Sequence, residues 1–133
     1  MSAQGRSIDV PGLAHNAPIP VAARVGSLVC SSAIAGKDAS TGELPADAAA
    51  QARHAFANLR RVLHAAGATP AAVAKLTVTI KDNGVREAVN AEWLDLFPDP
   101  QDRPARHIAV QDLQHGMALQ LEFIALVSNE SPT

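Results

Sequence analysis

From Ala46 to Ala66 the apolar positions recur at intervals of three and four. Ala52, Ala55, Phe56, Leu59, Val62, Leu63 and Ala66 line up as one stripe, which predicts an amphipathic helix. Gln51, Arg53, Asn58, Arg60 and Arg61 are assigned elsewhere around the wheel. Pro45 precedes this helix, Asp47 adds negative charge to its first turn, and Gly67 is the expected stop. A second helix is predicted over 85–97 from the stripe Val85, Ala88, Val89, Trp93, Leu96 and Phe97, with Pro98 ending it.

Between the helices the period changes to two. In Leu76–Lys81, Leu76, Val78 and Ile80 face one way, and Thr77, Thr79 and Lys81 the other. Leu119–Val127 behaves alike: Leu119, Leu121, Phe123, Ala125 and Val127 share one face, while Gln120, Glu122, Ile124 and Leu126 share the opposite one. Shorter strands are expected at Arg106–Gln111 and Ser27–Ala35, with edge strands at Ser7–Val10 and Val21–Val25. Asp38–Gly42 is turn chemistry, and the Pro98–Pro104 stretch connects two elements rather than two domains. The order predicts one α+β domain, a mixed sheet with two helices on one face. Its other face mixes Thr, Gln, Glu and aliphatic side chains, which calls for cover by identical subunits.

The chain has 133 residues, 47% apolar and 18% charged, enough for one core without staples. Ala46–Ala74 is alanine-rich but mostly helical in period, and Ser128–Thr133 reads as a tail. A single cysteine, Cys30, excludes an internal disulfide and any multi-thiolate metal site. A net charge of −2 with 3% aromatics and no tyrosine speaks against nucleic acid as a partner. No apolar run approaches the roughly 18 residues of a membrane span. The opening Met-Ser-Ala-Gln-Gly-Arg lacks the order of a signal peptide. The expectation is a cytoplasmic protein with no membrane partner.

Candidate chemistry is sparse. His15, His54, His64, His107 and His115 form no ligand spacing, so no metal is expected. His54 and His64 share a helix but lie about 15 Å apart along it. Leu28-Val29-Cys30-Ser31-Ser32 reads as a buried strand, making Cys30 a structural thiol. Gly36, Gly42 and Gly84 are isolated and make no phosphate loop. Arg106 differs. It opens a strand behind the proline-bearing Arg103-Pro104-Ala105 and shares a face with Ile108 and Val110. A partly desolvated guanidinium there needs an anion, either a ligand carboxylate or a structural partner such as Asp99, Asp102 or Glu122.

At these residues the chain resembles the reactive-intermediate deaminase (RidA/YjgF) family, over about residues 20–127. The pieces are Ser40–Asp47, Gln51-Ala52-Arg53, Asn58-Leu59, Val62-Leu63, Ala65–Ala68, Val73-Ala74-Lys75 and Thr77-Val78-Thr79. They continue with Lys81-Asp82, Val89-Asn90, Phe97, Pro104-Ala105-Arg106 and Glu122–Ala125. None is specific alone; the ordered set is. The resemblance implies a chorismate-mutase-like α+β fold and a homotrimer with ligand clefts between subunits. It also implies hydrolysis of enamine and imine acids such as 2-aminoacrylate to 2-keto acids and ammonia, without metal or organic cofactor. It places the substrate carboxylate on Arg106, with help from the Ile108 backbone amide. The label of RNA cleavage often attached to the family finds no support in the charge or aromatic content.

The departures from the family pattern bear on mechanism. The glutamate thought to position or activate water is here Gln120, which can hold a water but cannot accept its proton. Glu122, on the same strand face, matches the family's second, non-catalytic glutamate. The Gly-Pro-Tyr motif reads Ile19-Pro20-Val21, so a tyrosine hydroxyl is missing. Ser-Gly-Gln reads Ser31-Ser32-Ala33, with Ser32 where ligand usually meets bare backbone. A common cysteine is replaced by Ile108. Asn90 matches the family asparagine, and Trp93 stands at its usual tyrosine. Two readings follow: a deaminase using Gln120 and ordered water, or a small-carboxylate binder that regulates without turnover.

Overall fold

A computed structural model describes residues 5–128. The tail expected at Ser128–Thr133 therefore lies, beyond Ser128, outside the described residues. Among the described residues there are seven strands: β1 (Ser7–Ile8), β2 (Ala22–Val25), β3 (Leu28–Ser31), β4 (Ile34–Ala35), β5 (Val73–Ile80), β6 (Ala105–Val110) and β7 (Leu119–Leu126). Two helices, α1 (Ala48–Ala65) and α2 (Arg86–Leu96), complete the fold. The sheet order is β1-β2-β3-β7-β5-β6, with β4 also pairing β7. Only β5 and β6 run parallel, and α2 is the crossover that parallel pairing demands. The predicted α+β class with two helices on one face is the observed one.

Period two placed the core correctly. Leu76, Val78 and Ile80 of β5 and Leu119, Leu121, Phe123 and Ala125 of β7 are buried beneath the helices. On the far face Val25, Leu28, Ile124 and Leu126 are exposed, Leu126 to 58%. Cys30 stands on that same face, paired with Ile124, and is exposed. This corrects the expectation of a buried thiol. An unbroken apolar run suggested burial on both sides, but helices cover only one side and β3 alternates across it. The single strand expected at 27–35 is likewise two. The chain leaves β3 after Ser31, whose Oγ accepts the Phe123 N–H at 2.9 Å, and rejoins β7 as β4.

Helix α1 begins two residues later than predicted. Asp47 is its N-cap rather than a first-turn residue, and its carboxylate accepts the Ala50 N–H at 3.1 Å. Replacing Asp47 by Ala leaves that amide unpaired. The expected cost is about 1 kcal/mol, a fall in Tm of a few degrees on thermal melting; an unchanged Tm would remove the cap from the helix's stability.

Gln51 and Asn58, assigned away from the stripe, are in fact buried, at 1% and 0% exposure. Gln51 Nε2 donates to the carbonyls of Pro45 (2.7 Å) and Gly116 (3.0 Å), and its Oε1 accepts the Ala118 N–H at 2.7 Å. Asn58 Nδ2 donates to the carbonyls of Ala35 and Lys37, while Arg61 donates to its Oδ1 at 2.8 Å. These amides tie irregular backbone to the helix. They are the buried groups that satisfy the segments entering β7 and leaving β4.

Candidate functional site

The approach to Arg106 is fixed by the 97–104 connection. Arg103 Nε donates to the Phe97 carbonyl at 2.8 Å and a terminal nitrogen to Pro98 at 3.3 Å. Asp99 Oδ1 accepts the Gln101 N–H at 2.9 Å, and the Asp102 N–H donates to the Asp99 carbonyl. Asp99 is thus engaged in its own turn, and β6 opens at a set point.

Arg106 lies on the helix side of β6, in register with the buried Leu76. One terminal nitrogen donates to Asn90 Oδ1 at 2.9 Å. Its Cζ sits 4.8 Å from the centroid of the Trp93 ring, and Trp93 in turn packs on Phe97 at 4.8 Å between centroids. The guanidinium is therefore stacked on an aromatic face and steered by a neutral amide. The structural ion pair considered with Asp99, Asp102 or Glu122 is not formed. Asp99 serves its turn, and Glu122 is on the opposite sheet face, paired with Thr77. Burial first, and the positive charge of Arg86 second, pull the Arg106 pKa below its ordinary value. No carboxylate offsets either effect, so an incoming anion gains what the fold withholds.

Ile108 follows on the same face of β6 and is half-buried. The Gln111 N–H donates to the Ile80 carbonyl. Ladder alternation then turns the Ile108 N–H away from β5, toward the open edge of the sheet. Arg106, Asn90, Trp93 and Ile108 form one group. Asn90 and Trp93 come from α2, sixteen and thirteen positions before the arginine, so no local spacing announced their contact.

The remaining predicted residues gather elsewhere. Ser32 N–H donates to the Val21 carbonyl at 2.9 Å and its hydroxyl to the Pro20 carbonyl at 2.8 Å. Val21 lines a cavity of about 360 Å³ with Leu13, His15, Ala35, Lys37 and Met117, and Arg106 does not reach it. Gln120 pairs with Thr79 and Ala35 on the face away from the helices. Within one chain, then, Gln120 and Arg106 are on opposite faces and two strands apart, about 10 Å across the sheet. Among the described residues, no group of three His, Cys, Asp or Glu side chains could hold a metal ion, and no helix is long and apolar enough to cross a membrane.

The chain is similar to known proteins over most of its length. A model of the endoribonuclease L-PSP family matches residues 14–127. A RutC family protein of Haemophilus influenzae is 37% identical over 112 residues, 82% of this chain and 86% of that protein. The 2-iminobutanoate/2-iminopropanoate deaminase of Escherichia coli K12 is 32% identical over 119 residues, covering 84% and 93%. Among solved structures, E. coli TdcF with bound serine superimposes with a TM-score of 0.84 at 28% identity, over 92% of this chain and 98% of that one. The E. coli YjgF gene product gives 0.82 at 29%, over 90% and 97%.

Proposed function

The chain belongs to the reactive-intermediate deaminase (RidA/YjgF) family, the group that the endoribonuclease L-PSP model describes, and on that footing we propose that it hydrolyses small 2-imino acids to 2-keto acids and ammonia. The observation that carries this reading is the Arg106 guanidinium, stacked on Trp93, held by Asn90 and left without a carboxylate partner. A substrate carboxylate takes that place in a two-pronged contact, with the Ile108 amide beside it. An enamine first gains a proton at its β-carbon and becomes the imine. Water then adds to the C=N carbon, the nitrogen takes up protons, and the C–N bond breaks to release ammonia and leave C=O. No metal or organic cofactor enters this sequence.

Gln120 is the residue proposed to hold the water. The sheet separates it from Arg106 inside one chain, so the two act on one molecule only across neighbouring copies. The exposed face of Val25, Leu28, Ile124 and Leu126 supports such an assembly, and a homotrimer is the form the family reading implies. Val21 and Ser32, apart from Arg106 within one chain, join that cleft only from a neighbouring copy, like Gln120. A small acid, not nucleic acid or membrane, is the proposed partner, in the cytoplasm.

The test is ammonia release from freshly generated 2-iminobutanoate and 2-iminopropanoate. Wild type is expected to outpace buffer; equality across both substrates defeats the proposal. The amide at position 120 favours one second reading, a carboxylate sensor without turnover, which calorimetric binding of 2-oxobutyrate without ammonia release would establish. Gln120→Glu separates the two further. Supplying a proton acceptor is expected to raise the rate about tenfold, below the full range of general-base contributions. An unchanged rate would take proton transfer at this position out of the mechanism.

A further inference from the structure

Asn90 and Trp93, the two α2 residues that touch Arg106, lie four and seven positions after Arg86. All three share one helix face, which Arg86 extends by a turn, about 6 Å beyond Asn90. Since β5 and β6 run parallel, α2 runs antiparallel to β6, so its first turn lies toward the Val110 end of that strand. Arg86 opens that turn. Its Nε donates to Asn83 Oδ1 at 3.0 Å, which anchors the side chain, while its terminal nitrogens make no hydrogen bond among the described residues. Its sequence neighbour Glu87 is about 100° round the helix. On β6 beyond Arg106 the same strand face carries half-buried Ile108 and exposed Val110.

We infer that Arg86 and Arg106 form a two-point anion site along the α2–β6 strip, and that the protein prefers short dicarboxylic 2-imino and 2-oxo acids. The first carboxylate, beside the reacting carbon, docks on Arg106. The intervening methylenes lie on Ile108, and the distal carboxylate meets Arg86. Burial first and the charge of Arg86 second lower the Arg106 pKa, so the two cations act on one another and an anion is favoured near both. The preference rests on the carboxylate-binding role proposed for Arg106.

The experiment compares two acids with the same five-carbon chain, 2-oxoglutarate and 2-oxopentanoate, by calorimetry on the whole protein at low salt. The dicarboxylate is expected to bind about five- to tenfold more tightly, as for a partly exposed charge pair with hydrogen bonds. The ratio should shrink in 0.3 M salt. In Arg86→Gln it should fall to about one. A ratio of one or less in wild type, or a ratio that Arg86→Gln leaves standing, overturns the inference while 2-oxopentanoate binding keeps the Arg106 reading intact. If neither acid binds at millimolar concentration, the Arg106 reading fails and this preference goes with it.

Discussion

Arg106→Ala is expected to lower kcat/KM for 2-imino acids by about a hundred- to a thousandfold while leaving the protein folded. Removing one partner of a desolvated, hydrogen-bonded charge contact costs about 3–4 kcal/mol, and each 1.4 kcal/mol is tenfold in rate. The fold tolerates the loss because the groups Arg106 leaves behind are not stranded. Asn90 is exposed and can bind water, and Trp93 keeps Phe97 and the rest of its burial. Arg106→Lys should recover only a small part. An ammonium carries the charge but neither the planar stack on Trp93 nor the fork that grips two oxygens. Steady-state ammonia release, with thermal melting as the control, checks both. A drop of less than threefold in a properly folded Arg106→Ala protein would remove the carboxylate clamp from the mechanism.

Much of this scaffold could be read from the chain because burial and period coincide. In β7 the residues at alternate positions are buried beneath two helices, and their partners stand on an open face, so a strict period of two has one structural meaning. Where structure and sequence expectation differ on α1, angle outweighs polarity. Gln51, Ala55, Asn58 and Val62 occupy core spacing, i, i+4, i+7 and i+11, and the wheel alone places both amides inward. Polarity argues for the outside because buried amides need partners that a sequence does not display. Those partners are carbonyls of Pro45, Gly116 and Lys37 in loops and of Ala35 at the end of β4, up to 65 residues away. Cys30 erred in the opposite direction: apolar neighbours suggested two-sided burial on a sheet that is covered on one side. The site itself was half legible. Proline-bearing context singled out Arg106. The contacts that orient it come from another element, and the separation of Gln120 from it depends on sheet order, which periodicity does not encode.

Gly36→Ala is expected to destabilise the protein by about 3 kcal/mol or more, at the upper end for forcing atoms into a packed interior. Tm should fall by roughly 10 °C. The cause is crowding alone. A methyl at position 36 would press on the backbone of Gln51, with Cα at 2.9 Å and the carbonyl carbon at 2.7 Å, and helix backbone cannot swing aside as a side chain can. Gly42 provides the contrast. Its φ is +76°, but nothing lies within 4 Å of an added methyl, so Gly42→Ala should cost only the left-handed backbone, about 1 kcal/mol. Displacing Gln51 also disturbs its bonds to Gly116 and Ala118, just ahead of β7 and Gln120. Residual activity of folded Gly36→Ala at low temperature should therefore fall, whereas Gly42→Ala should retain it. Equal melting losses for the two variants would leave no steric reason for glycine at position 36.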